Sequence, residues 1–391
     1  MEPPPAPVSN GDLRSAPDPG GWARHRLGAW LIGLHLRHLR TCQGATLREL
    51  QERLPAASPA GMRGVSLSAF SRIETGEGRT LELAAAKGRL VDYLHAYGVD
   101  RGLAGADLTQ MVQDLPLREP HRYFDSGPGW TQRVDLATQE ATNVLLWAPL
   151  VIPPSLRIPA YHRAAIANAP LIGGVWGDTA PADLRTLPGP GCDACRAYRS
   201  PAIDDPGGGP MVAAYFQAVT RNRRAAFETR IAEPRPTAAV LLSEAVLHLQ
   251  TGGPDVHARQ LRYLARLVRD TALDLRIHPL SRPLALPPHH TAYLGYRTGT
   301  VICVEEQRAA SYIAATGDRR SDLSDPYQAL ERAATPQESV RLLYRAADAL
   351  TEGRVVTHDV LYGDPDGRTP DIYGSARRPA SVADRAALDR G

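Results

Sequence analysis

Lysine, phenylalanine, methionine and cysteine are all scarce: Lys87 is the only lysine, and Phe, Met and Cys occur four times each in 391 residues. With abundant Ala, Gly and Pro, this bias points to a GC-rich genome and carries no mechanism. Four cysteines in a chain of this size argue against a disulfide framework. No run of about 18 apolar residues occurs. The opening stretch MEPPPAPVSNGDLRSAPDPGG lacks the basic-then-apolar order of an export signal. A cytoplasmic protein without membrane contact is therefore expected. Excess charge of one sign is also missing, the net charge being +3, so a nucleic-acid footprint must be local. Between residues 21 and 100, eleven Lys/Arg stand against seven Asp/Glu, a weak but permissive excess.

Apolar residues make up 43% of the chain, enough for the two cores that this length implies. The expected fold class is α+β: an N-terminal all-α helix-turn-helix domain followed by a larger, mainly helical α/β domain with a small sheet. Residues 1–20 are too poor in apolar groups to order themselves and read as a disordered arm. Residues 21–100 form the helical domain, 101–129 a connector, 130–352 the α/β domain and 353–391 a flexible tail.

Within 21–100, apolar positions crowd one side from residue 26 to 43, and Gly44 stops that helix. Thr46 caps a second helix, with Glu49 completing a capping box. Ser66 caps a short third helix that turns Phe70 and Ile73 inward and Leu67, Ser68, Ser71 and Arg72 outward, and Gly76 ends it. Thr80 caps a fourth. Further on, 131–147 reads as a helix and 171–210 as a long loop. Helices are expected near 211–231 and 257–271, four β-rich runs at LDLRIHPL, TAYLGYR, TVICVEE and AASYIAA, and two closing helices, the last capped by Thr335 and Glu338.

A helix-turn-helix needs one helix to brace the backbone and a short second one whose outward residues enter the major groove. Arg72 suits bidentate donation to guanine, and Ser68 is short enough to allow close approach. Thr46, Ser66 and Arg79 are placed to meet phosphates.

The run LRHLRTCQGATLRELQERL followed by VSLSAFSRIETGEGRT resembles the phage Cro/repressor-type (XRE) helix-turn-helix family. That resemblance implies a salt bridge between Arg40 and Glu74 and puts Leu67, Ser68 and Arg72 at base-reading positions. One departure is the ten residues 55–64 between the second and third helices, where about four are usual. The stretches VIPPSLRIPAYHRAAIANA, AVLLSEAVLHLQTGGPDVHARQLRYLARLV, LDLRIHPLSRP and TVICVEEQRAASYIA resemble the domain of unknown function that follows this helix-turn-helix in many actinobacterial antitoxin-like regulators. The resemblance implies a homodimeric transcription regulator of double-stranded DNA that responds to a small protein encoded nearby or to a small-molecule effector. The alternatives are a protein-binding antitoxin with little DNA contact, or an enzyme using a C-terminal pocket.

No catalytic residue, cofactor or metal site is assigned. Cys192 and Cys195 form an isolated C-x-x-C that His121 or His162 could complete as zinc ligands, but neither shows metal spacing, and two thiols in a loop is the simpler reading. His289 and His290, with Tyr293, Tyr296, Glu305 and Glu306 near them, lack a nucleophile, base and orienter in recognisable order and read as solvated. Arg221, Arg223 and Arg224 read as the wet face of a helix.

Overall fold

The computed structural model describes residues 27–54, 66–99, 102–117, 120–167, 192–199, 209–232, 238–271, 273–283, 285–307, 309–315, 323 and 325–363. The expected arm, the 55–64 insertion, much of the 171–210 stretch and residues 364–391 lie outside them. Among the described residues, no helix is long and apolar enough to cross a membrane.

The fold is α+β. Helix α1 (Leu27–Cys42) is buried on every side from Leu27 to Leu36. A helix apolar all round must be covered all round, and α1 is: α3 lies against one face, β1 and α7 against others. Gly44, with φ +65°, ends it. Helix α2 (Leu47–Glu52) begins on the expected capping box of Thr46 and Glu49. Helix α3 (Leu67–Glu74) starts at Ser66, whose hydroxyl makes no capping bond but meets the Ser68 hydroxyl at 2.6 Å.

The expected fourth helix is two. Helix α4 (Gly78–Ala86) starts before Thr80 with Glu77 at its N-cap, and α5 (Leu90–Ala96) follows. Gly88, at φ +65°, makes the break, a conformation that residues with a Cβ resist. The expected connector holds α6 (Gly102–Asp114) and β1 (Arg122–Asp125).

The 131–147 segment corrects the helical expectation. Helix α7 (Trp130–Glu140) ends at Ala141, and Asn143–Ala148 is strand β2. Next come α8 (Pro159–Ala167), α9 (Asp193–Tyr198) and α10 (Gly209–Ile231). Strand β3 (Ala238–Ser243) leads through α11 (Ala245–His248) to α12 (Pro254–Asp270). Strands β4 (Asp274–His278), β5 (His290–Gly295), β6 (Val301–Glu306) and β7 (Ala310–Ala315) occupy the four β-rich runs. Helices α13 (Pro326–Arg332), α14 (Pro336–Thr351) and α15 (His358–Tyr362) finish the described chain. The Thr335–Glu338 capping box is formed.

The seven strands make one mixed sheet in the order β1-β7-β6-β5-β2-β3-β4. Strands β2, β3 and β4 are parallel, and the rest pair antiparallel. Strand β2 lies inside the sheet, between β5 and β3, with five of its six residues buried, as a strand covered on both faces must be. Val144 and Leu146 join the large core; Leu145 and Trp147 face a smaller one closed by Ala329 of α13. That large core runs without interruption from Leu31, Phe70 and Leu94 of the N-terminal helices to Leu261 and Leu343 of the α/β part. Trp30 of α1 meets Tyr296, just past β5, edge to face at 5.8 Å.

Candidate nucleic-acid interface and the clusters behind it

Helix α3 presents one wet face. Phe70 and Ile73 are fully buried, while Ser66, Leu67, Ser68, Ser71, Arg72 and Arg79 are exposed. Leu67 is 39% exposed, an uncommon place for leucine on a short amphipathic helix. The Arg72 guanidinium is half exposed and lies 3.7 Å from the Glu77 carboxylate, a loose surface pair that leaves its donors available. Thr46 is different. Its hydroxyl accepts from the Glu49 amide at 3.2 Å and its own amide donates to Glu49 Oε2 at 2.6 Å. Both polar groups expected to meet phosphate are therefore engaged by the capping box, beside a carboxylate.

What fixes α3 against α1 is the expected brace. Arg40 donates from Nε and Nη2 to the two Glu74 oxygens at 2.7 and 2.8 Å, and from Nη1 to the Ala45 carbonyl at 2.8 Å. Tyr97 adds a donor to Glu74 Oε1 at 3.1 Å. Burial, then the Glu74 carboxylate, pushes the Tyr97 phenol well above its ordinary pKa, so it remains a donor. Gly33 permits the close crossing: a Cβ there would lie 2.5 Å from the Ile73 carbonyl oxygen. We expect Arg40→Ala to cost about 2–3 kcal/mol, since it strands a buried carboxylate, and Arg40→Ala/Glu74→Gln to recover part of it. Urea unfolding of both variants checks this; equal losses would show that the stranded charge is not the cause.

Behind the brace, a buried polar cluster joins α1 to the α/β part. Arg133 of α7 is completely buried and donates to Asp125 of β1 at 2.6 and 2.7 Å and to Asp107 of α6 at 2.8 and 3.1 Å. Tyr198 of α9 donates to Asp107 at 2.5 Å. His35 of α1 lies 3.2 Å from Arg133 Nη1 and 3.2 Å from the Gln132 amide oxygen. Burial pushes the Asp107 carboxyl up, yet Arg133 and Tyr198 outweigh it and hold Asp107 below the usual range. For Asp125 burial prevails and its pKa rises. Burial, reinforced by the Arg133 charge, pulls His35 down to about 3, so the imidazole is neutral. The backbone enters α7 through Gly129, whose amide donates to Asp107 at 3.0 Å; a Cβ on Gly129 would come within 2.6 Å of Arg133 Nη1.

A second cluster corrects the reading of Arg223 and the paired histidines. Arg223 is not on a wet face. It donates to Asp135 of α7, to Glu306 of β6 at 2.8 Å and to the Thr131 carbonyl at 3.1 Å. Arg224 pairs with Glu228 at 2.9 Å, and Arg221 is exposed. His290 sits 3.3 Å from Glu306 and His289 3.0 Å from Glu305, so both are partly buried beside a carboxylate, not solvated loop residues. Burial raises Asp135 to about 6 despite Arg223. Glu306 is also pushed up by burial, but Arg223 and His290 together hold it well below the ordinary range.

The C-x-x-C is not in a loop. Cys192 is the N-cap of α9 and Cys195 lies within it. Neither His121 nor His162 joins them; the facing residues are His38 and Cys42 of α1, and the four donor atoms lie within 4.8 Å of one another. The sequence signal was the i, i+4 spacing of His38 and Cys42, which puts both on one side of a helix. Their 150-residue separation from Cys192 hid the pairing.

Residues 198–345 match a family described as a domain of unknown function (DUF5753). That segment contains three of the four stretches singled out in the C-terminal half, and VIPPSLRIPAYHRAAIANA precedes it. No curated protein and no solved structure matches the chain.

Proposed function

We propose that the chain is a sequence-specific DNA-binding transcription regulator, with α3 as the helix that enters the major groove. The observation behind this reading is the wet face of α3. Leu67, Ser68, Ser71 and Arg72 are exposed together on a helix that Arg40, Glu74 and Tyr97 lock to α1. A recognition helix needs that combination of a rigid mount and short or bidentate outward side chains. Arg72 donates to base edges, Leu67 and Ser68 fit the groove, and Ser66 and Arg79 position on phosphates. Thr46, held by Glu49, contributes by shaping the start of α2. The protein acts as a cytoplasmic homodimer, whose two α3 helices enter successive major grooves about 34 Å apart.

The α/β part is then the responsive half. Its α7 and β1 cover α1 directly, so a small protein or metabolite that binds one packing better than another shifts the DNA-competent population.

On a duplex selected by the full-length protein, Arg72→Ala weakens binding by about 1–3 kcal/mol, or about 5- to 150-fold, and relaxes the preference at one base pair. Arg79→Ala weakens all duplexes alike and lowers the salt slope by about one. Fluorescence anisotropy at two salt concentrations separates the two. Binding by Arg72→Ala at parental strength would remove α3 from the groove.

A further inference from the structure

We infer that His38, Cys42, Cys192 and Cys195 form a zinc site that staples α1 to α9. All four donor atoms lie within 4.8 Å of one another. Zinc with thiolate bonds of about 2.3 Å and imidazole bonds of about 2.0 Å, arranged tetrahedrally, spaces neighbouring donors about 3.5–3.8 Å apart. Cys192 Sγ to Cys195 Sγ is 3.3 Å and Cys42 Sγ to His38 Nε2 is 3.4 Å, so small rotations of the side chains admit the ion.

Both halves of the cage come from rigid backbone. His38 and Cys42 are one turn apart on α1, and Cys192 and Cys195 flank the first turn of α9. The four cysteines of the described chain are free. A disulfide between Cys192 and Cys195 needs about 2.05 Å and gives no reason for a third thiol and an imidazole to converge on the same point. Three sulfurs and one nitrogen with no open position is the donor set of structural zinc. Each thiol that is protonated beforehand releases one proton on binding, and the imidazole ligates in its neutral form. Around the cage, Gln132 donates to Cys195 Sγ at 3.4 Å and bonds His35 through its oxygen. This outer bond fixes one thiolate and joins the site to the Arg133 cluster. His38, Cys42 and Cys192 are only partly buried, so an ion can enter the site from solution.

The metal closes a loop of about 150 residues between Cys42 and Cys192 and holds the helix on which α3 is mounted. Its effect on DNA affinity rests on the function proposed above; its existence does not.

The test is metal analysis of the full-length protein purified under reducing conditions with zinc in the medium. About one zinc per chain is expected. Exchange for cobalt should give the strong visible bands of a tetrahedral ion together with thiolate-to-cobalt charge transfer in the near ultraviolet. Cys42→Ser and Cys192→Ser should lose most of the zinc and that charge-transfer intensity, and Cys303→Ser should keep both. The cobalt titration of the parent protein decides even if a ligand variant fails to fold. A folded parent that takes up neither metal, or whose Cys192 and Cys195 are found as a disulfide instead, overturns the site. So does a Cys42→Ser variant with the full parental spectrum.

Discussion

Replacing Arg133 with methionine is expected to destabilise the protein by about 3–5 kcal/mol, the largest effect of any single polar substitution considered. Methionine fills a similar volume, so packing loss is small and the cost is electrostatic. Asp107 and Asp125 are 4% and 1% exposed, and each takes two bonds from the one guanidinium. Without it, two carboxylates face each other away from water, with Tyr198 and the Gly129 amide bonded to Asp107 and the Gly127 amide to Asp125. Neutralising them should restore much of the loss, so Arg133→Met/Asp107→Asn/Asp125→Asn should be more stable than Arg133→Met alone. Urea midpoints decide. A loss under about 1 kcal/mol for Arg133→Met would mean that water already reaches the cluster.

The second large effect is loss of stability in mild acid. His35 and His257 are fully buried, and burial pulls them to about 3 and about 4. Both lie below the ordinary 6.5, so the unfolded chain accepts protons that the native state refuses. Above pH 6.5 neither state is charged at these sites and stability is unaffected. As pH falls below 6.5, each histidine costs about 1.4 kcal/mol per pH unit until its native value is reached. Asp135, raised to about 6, takes up a proton in the native state over part of the same range and offsets some of this cost. Unfolding midpoints between pH 7.5 and 5 should therefore fall moderately, and His257→Leu should remove about one proton from the slope. A flat profile, or a slope that the variant leaves unchanged, contradicts this.

Local signals in the sequence were reliable where one turn of backbone decides the structure. The capping boxes at Thr46 and Thr335, the stop at Gly44 and the inward Phe70 and Ile73 all stand where spacing put them. The Arg40–Glu74 pair followed from family resemblance, not from spacing. Failures came where distant packing decides. NVLLWA has one β-branched residue and no turn signal before it, so it continued the α7 pattern; only burial between two layers makes it an interior strand. The break at Gly88 was a single glycine in a helical run, which costs little alone. The C-x-x-C, Arg223 and the paired histidines were misjudged for a shared reason. Their partners, respectively His38 with Cys42, Asp135 with Glu306, and Glu305 with Glu306, lie on other elements.

The fold also bears on how a signal would travel. In a linker-joined regulator the DNA-binding helices sit apart from the responsive half. In the proposed regulator α1 would belong to both, since it is buried by α3 on one side and by β1 and α7 on others. His35 and two of the four clustered donors, His38 and Cys42, lie along that same helix. On that reading, a change in the packing of α7 or α9 would be felt at α1 without an intervening hinge and would shift the mount of α3.

The most direct test is selection from a random pool of duplex DNA by the purified full-length protein, followed by titration of the best sequence at two salt concentrations. The account predicts a short palindromic site with half-sites one helical turn apart, bound in the nanomolar range and weakened steeply by salt. A folded, dimeric protein that enriches no sequence, or that binds every duplex alike, would contradict it.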